Sequence, residues 1–137
     1  MSVDLTRRQF LKPGAMAPLA MAVMPSSVLG KSFSGVTAPS DKLNILGVGI
    51  GGRGASVLND VSQENIIGLC DVDWKYADHI FRRYPNAKRY NDYRRMYDEM
   101  LKDADAVVVA TADHTHAIIS ADALVAGKHV YCVKPLT

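Results

Sequence analysis

Residues 42–55 read Lys-Leu-Asn-Ile-Leu-Gly-Val-Gly-Ile-Gly-Gly-Arg-Gly-Ala. Leu43 to Val48 is a short apolar run ending in glycines, which suits a strand buried on both faces of a parallel sheet. Arg53 to Val61 then has the spacing of a helix. The glycines fit G-x-G-x-x-G in two registers, Gly47/Gly49/Gly52 and Gly49/Gly51/Gly54. The second leaves the longer strand before the turn and is preferred. In that register Gly49 makes the tight turn and Gly51 leaves the backbone open to a diphosphate, while Gly54 lets the helix pack close to the sheet. A helix N-terminus there offers free N–H groups and partial positive charge, with Ile50, Gly51, Gly52 and Arg53 supplying most of the contacts.

Working outward, Asn65 to Cys70 reads as a second strand closed by Asp71, 22 positions after Gly49. A carboxylate about 20 residues beyond the first glycine is placed to accept hydrogen bonds from an adenosine ribose. An acid there repels a 2′-phosphate, so NAD is expected over NADP, although Arg53 nearby leaves NADP open. The plainer reading of Asp71 is a turn residue or helix cap, a role for which Asp73 is the better candidate. Trp74, Ala77, Phe81 and Tyr84 recur at helical spacing until Pro85, and Lys88 to Tyr90 is a weak third strand. Tyr93, Met96, Tyr97, Met100 and Leu101 form a helical stripe with Asp92 as N-cap. Ala106 to Ala110 is the clearest buried strand. His116 to Ala126 is helical, with Gly127 placed to end it, and Val130 to Val133 is a fifth strand. The alternation predicts an α/β fold, a Rossmann-type doubly wound parallel sheet truncated after its fifth strand.

Composition narrows the field further. The chain has 137 residues, 48% hydrophobic and 22% charged, which excludes a disordered tail or a disulfide scaffold. Its net charge of +2 is carried by the first thirty residues, where Arg7, Arg8 and Lys12 face only Asp4. The body is near neutral, so no nucleic-acid partner is expected. The pairs Arg82-Arg83, Lys88-Arg89 and Arg94-Arg95 read as solvated faces. Cys70 and Cys132 end apolar runs without metal spacing and read as reduced, packed strand residues, although a disulfide is conceivable in an exported chain. Neither they nor the histidines form a metal site.

Residues 1–30 read as a signal peptide. Thr6-Arg7-Arg8-Gln9-Phe10-Leu11-Lys12 precedes a short apolar stretch, Ala15 to Met24, broken by Pro18 and too short to span a bilayer. The motif resembles the bacterial twin-arginine signal, implying the twin-arginine translocation machinery as partner and a periplasmic or otherwise exported destination. No stable membrane anchor is expected. Residues 31–41 read as a linker, and residues 42–137 as the nucleotide-binding domain.

Three segments resemble the Gfo/Idh/MocA oxidoreductases: Lys42 to Ala55, Leu69 to Asp73, and Asp105 to Thr137 (DAVVVATADHTHAIISADALVAGKHVYCVKPLT). The resemblance implies that Thr111 lies along the cofactor and that Asp113-His114-Thr115-His116 is a polar loop with His116 bordering the nicotinamide. It implies that Lys134, followed by Pro135, reaches the substrate hydroxyl being oxidised and stabilises a developing alkoxide. His116 and Lys134 are thus the expected catalytic residues, and His114, Asp113 and Pro135 the expected cofactor neighbours. The bland alternatives are a helix-opening His116, a polar loop residue at His114 and a surface Lys134, with His79 and His129 structural. The chain departs from the family pattern in two places. Ala112 stands where proline is usual, and Val133 stands where a glutamate usually helps fix the nicotinamide ribose.

The resemblance further implies a sugar-like, cyclitol or polyol substrate and a homo-oligomeric full-length form. The C-terminal substrate domain and a sixth strand are expected to be absent from this chain, leaving the fragment inactive alone. The leading expectation is an exported NAD(P)-dependent oxidoreductase acting by hydride transfer. The alternatives are an NAD-dependent glycoside hydrolase of the same family and a catalytically inert NAD-binding module.

Overall fold

The structure, a computed structural model, describes residues 41–135; the signal-peptide and linker assignments at 1–40 and the end of the chain at 136–137 lie outside them. Five strands form one parallel sheet in the order β3-β2-β1-β4-β5. They are β1 (Asn44–Val48), β2 (Asn65–Cys70), β3 (Lys88–Tyr90), β4 (Ala106–Val109) and β5 (His129–Cys132). The connecting helices are α1 (Arg53–Asp60), α2 (Asp78–Arg83), α3 (Tyr93–Met100) and α4 (Asp113–Val125), with a 3-10 turn at Leu101–Asp103 after α3.

Side-chain alternation divides the core between the two faces. Leu46, Val48, Val107 and Val109 meet Tyr93, Met96, Tyr97 and Met100 of α3 and Ile119 and Ala123 of α4. On the other face Leu69 packs with Leu58 of α1 and with Ile80 and Phe81 of α2, and Ile45 and Val108 pack with Val57 of α1. The first two helices therefore cover one face and the last two the other, the doubly wound arrangement that alternating βα units produce. Ile67 is the extra residue where the β1–β2 register shifts, since Ile45 pairs with Ile66 but Leu46 with Gly68.

Local chemistry explains the helix ends. Asp92 caps α3 by accepting the Arg94 N–H at 2.9 Å. Gly127, at φ 74°, closes α4: its N–H reaches Leu124 O and the Lys128 N–H reaches Ala123 O, a Schellman ending. Two elements differ from the sequence expectation. The helix expected from Trp74 begins only at Asp78. Asp73 Oδ1 accepts the N–H groups of Lys75 and Tyr76, both at 3.0 Å, and holds Trp74 to Ala77 as a turn. Conversely, α4 begins at Asp113, a full turn fragment ahead of the expected His116.

Cys70, Val48, Val109 and Cys132 lie in one row across four neighbouring strands. At about 4.8 Å per strand the two cysteines are about 14 Å apart, beyond the roughly 7 Å a disulfide spans. Both are free. Burial, with Asp71 and Asp92 adding to it, pushes the Cys70 thiol from 9.0 up to about 12. A folded value above the unfolded one means its contribution is complete below about pH 9 and is lost as pH rises towards 12. Urea unfolding should therefore show stability falling above pH 9, with Cys70 contributing at most about 1.4 kcal/mol per pH unit. Cys70→Ala should make that decline shallower.

Candidate cofactor site

Because the strands are parallel, their C-terminal ends share one edge of the sheet. Gly49 follows β1, Asp71 follows β2, Asn91 follows β3, Ala110 and Thr111 follow β4, and Val133 and Lys134 follow β5. The chain winds from β1 towards β2 on one side and later places β4 on the other. The loops after β1 and β4 therefore diverge, which opens a crevice at this edge.

The glycine loop turns at Gly49, whose φ is 77° and whose N–H donates to Cys70 O at 2.9 Å. A Cβ there would stand 2.7 Å from the backbone of Ala110 and Thr111. A Cβ on Gly54 would strike Gly49 O, so α1 is seated directly under the turn. Gly47 instead faces only side chains of Ile50, Leu58 and Leu69. The loop geometry is thus that of the Gly49/Gly51/Gly54 register. The start of α1 has no side-chain cap and no acidic residue in its first turn; the Ala55 N–H donates to Gly52 O, and the N–H groups of Arg53 and Gly54 are left to an outside partner.

Asp71 faces this loop. Its Oδ2 accepts the Gly51 N–H at 2.8 Å and its Oδ1 accepts the Asp73 N–H at 3.0 Å. Each carboxylate oxygen keeps further acceptor capacity. Gly49, Gly52, Asp71, Thr111 and His114 border one groove of about 1030 Å³. A loop of glycines without side chains, an uncapped helix start and a half-buried carboxylate fit a dinucleotide: the first two suit its diphosphate and the third its ribose. A smaller groove at the opposite sheet edge, bordered by Asn44, Glu64 and Pro85, has none of these features.

The remaining expected residues are distributed unevenly. Ile50 is fully buried in the core, leaving only its backbone for a ligand, while Arg53 is exposed at the helix start. Thr111 is half-buried and receives the Thr115 hydroxyl at 2.7 Å. Asp113 lies in the first turn of α4 and is exposed. Lys134 and Pro135 are exposed beyond β5 and do not border the groove.

His116 departs from expectation. Because α4 starts early, the ring falls on the inward face of the helix and is 1% exposed. Nε2 meets Thr111 O at 2.9 Å and Nδ1 meets Pro135 O. A neutral imidazole has one N–H, so either tautomer serves one of these carbonyls and only the doubly protonated ring serves both. With both nitrogens turned onto backbone, the ring ties the loop after β4 to the segment carrying Lys134. Val133, in the usual glutamate position, packs against the Ile45, Val57 and Val108 cluster while its N–H donates to Val109 O.

Sequence reasoning missed Tyr76, Asn91, Arg94 and Arg95, which also border the groove. Asn91 could have been found from the strand pattern alone, because the end of β3 must share an edge with the ends of β1 and β2. The two arginines, read as a solvated face, lie in the first turn of α3, where Arg94 stacks 4.7 Å from the Tyr93 ring centre.

Fold and groove together define a dinucleotide-binding domain of the Rossmann type. Residues 42–137 match the profile of the Gfo/Idh/MocA oxidoreductase family, NAD-binding Rossmann fold, and the chain belongs to that family. It is similar to inositol 2-dehydrogenase of Salmonella paratyphi B, at 33% identity over 98 residues covering 69% of this chain and 29% of that protein. It is also similar to glycosyl hydrolase family 109 protein 1 of a Shewanella species, at 28% identity over 97% of this chain and 34% of that protein. The myo-inositol dehydrogenase of Lactobacillus casei, solved with NAD(H) and myo-inositol, superposes with a TM-score of 0.61. That match has 25% identity and covers 70% of this chain and 29% of the other. The chain spans roughly a third of the length of these curated relatives.

The two outer glycines and the central one should fail differently. Gly49→Ala forces a side chain onto rigid backbone at an unfavourable φ and should lower unfolding stability by about 1–3 kcal/mol. Gly51→Ala meets only the Tyr76 ring and the Asp71 carboxylate. It should melt close to the parent but bind NAD at least tenfold more weakly by calorimetry.

Proposed function

We propose that this chain is the cofactor-holding part of an exported NAD-dependent oxidoreductase acting on a sugar, cyclitol or other polyol. The observation that carries the proposal is the Asp71 carboxylate at 2.8 Å from the Gly51 N–H. It sets a ribose-binding acid beside a diphosphate-binding helix start. When bound, NAD supplies the acceptor for a hydride from a substrate carbon. The chain's own residues would hold and orient it: the α1 N-terminus would serve the diphosphate, Asp71 would accept from the adenosine ribose hydroxyls and disfavour a 2′-phosphate, and Thr111 and His114 would line its path. Lys134 would donate a hydrogen bond to the substrate oxygen and stabilise the negative charge that develops on it, with His116 fixing the segment that carries it.

The polyol substrate class rests on the inositol dehydrogenases among the relatives. Export rests on the Arg7-Arg8 pattern. A protein that folds around NAD before translocation would carry its cofactor out and regenerate it within the site. One observation favours a second reading, an NAD-dependent glycoside hydrolase: similarity to the Shewanella family 109 protein extends over 97% of the chain, whereas the inositol dehydrogenase match covers 69%.

Calorimetry of the chain with NAD tests the cofactor assignment. Binding should be measurable at millimolar NAD, and Asp71→Ala should weaken it at least tenfold. An unchanged affinity in Asp71→Ala would refute the ribose role. With the full-length protein, NADH appearance on inositols or sugars supports the dehydrogenase. Release of aryl alcohol from an aryl glycoside without net NADH supports the hydrolase.

A further inference from the structure

Tyr76 occupies the face of the glycine loop that a diphosphate needs. A Cβ built on Gly51 would strike Cδ1 of the Tyr76 ring, and one on Gly52 would lie 3.3 Å from its hydroxyl oxygen. The ring therefore lies directly on the open side of both glycines. The second glycine of such a loop lacks a side chain so that pyrophosphate can approach the backbone. Here that same space is filled by the chain itself.

The ring is not built into the core. Tyr76 is 62% exposed. Its neighbour Ala77 is fully buried and leads into α2, so the backbone is anchored just after it. Tyr76 itself belongs to the turn from Trp74 to Ala77, held at its start by Asp73. Its backbone N–H is engaged by Asp73 and its carbonyl by His79 Nδ1 at 3.0 Å, but its hydroxyl makes no hydrogen bond among the described residues. A rotation about the side-chain bonds would clear the glycines without breaking either backbone contact.

We propose that Tyr76 is an intramolecular competitor of the cofactor: its ring covers the Gly51–Gly52 backbone in the free chain, and NAD binds only after displacing it. Resting on the cofactor assignment above, this makes Tyr76 a determinant of NAD affinity and of the rate of association. The competition is confined to the diphosphate end of the groove. Asp71 bonds the loop independently of the ring, so the adenosine end is untouched.

The test compares the full chain with Tyr76→Ala and Tyr76→Phe, titrated with NAD and separately with adenosine, which lacks phosphate. The sole tryptophan, Trp74, lies two residues away and reports association by stopped-flow fluorescence. Tyr76→Ala should bind NAD at least threefold more tightly and associate faster, with adenosine affinity unchanged and Tyr76→Phe matching the parent. Equal or weaker NAD binding by Tyr76→Ala, while the parent binds, overturns the competition but leaves the cofactor site standing. Equal gains for NAD and adenosine also overturn it, because the ring would then obstruct the whole groove. Failure of both parent and Tyr76→Ala to bind millimolar NAD refutes the cofactor assignment and this inference together.

Discussion

Gly54 sits so close beneath Gly49 that a single methyl group on it would strike the Gly49 carbonyl oxygen. That contact seats α1 against the end of β1, and Gly49 in turn abuts the backbone of Ala110 and Thr111 after β4. The β1–α1 turn and the loop after β4, distant in sequence, are thereby locked within a few ångströms at the centre of the sheet. The start of α1, with no side chain capping it, points into the crevice between them. A bulkier residue at either glycine would move the helix, and the array of free N–H groups would move with it.

The site inherits its asymmetry from this arrangement. On the β2 side the groove is built from bonded parts: Asp71 follows β2 and accepts from the N–H groups of Gly51 and Asp73. Beyond β5, by contrast, Lys134 and Pro135 are exposed chain that does not border the groove. His116 is the link, buried and bonded to the carbonyls of Thr111 and Pro135. It couples the placement of the lysine to the loop that borders the cofactor.

Parallel pairing also explains why new site residues emerged at Asn91, Arg94 and Arg95. The sheet order brings β3 beside β2, so the loop after β3 is delivered to the edge that holds Asp71. A charged pair that looks like ordinary solvated surface in the sequence becomes the wall of a groove. Exposure and participation in a site are compatible here because the groove itself is open.

Much of this protein is determined locally. Alternating apolar runs and helical stripes specify the strands and α3, since burial on both faces leaves little choice of side chain. Glycine spacing narrows the loop to two registers, and the positive φ at Gly49 with the close approach at Gly54 decides between them in the folded chain. Asp92 and Gly127 announce helix ends through hydrogen bonds made within a few residues. What the sequence could not determine depends on groups meeting across long separations. The placement of the Tyr76 ring on Gly51 depends on how the β2–α2 turn folds back onto the β1–α1 loop. The inward turn of His116 depends on where α4 begins relative to β5. Orientation of a side chain towards core or crevice is set by packing of whole elements, and no local spacing encodes it.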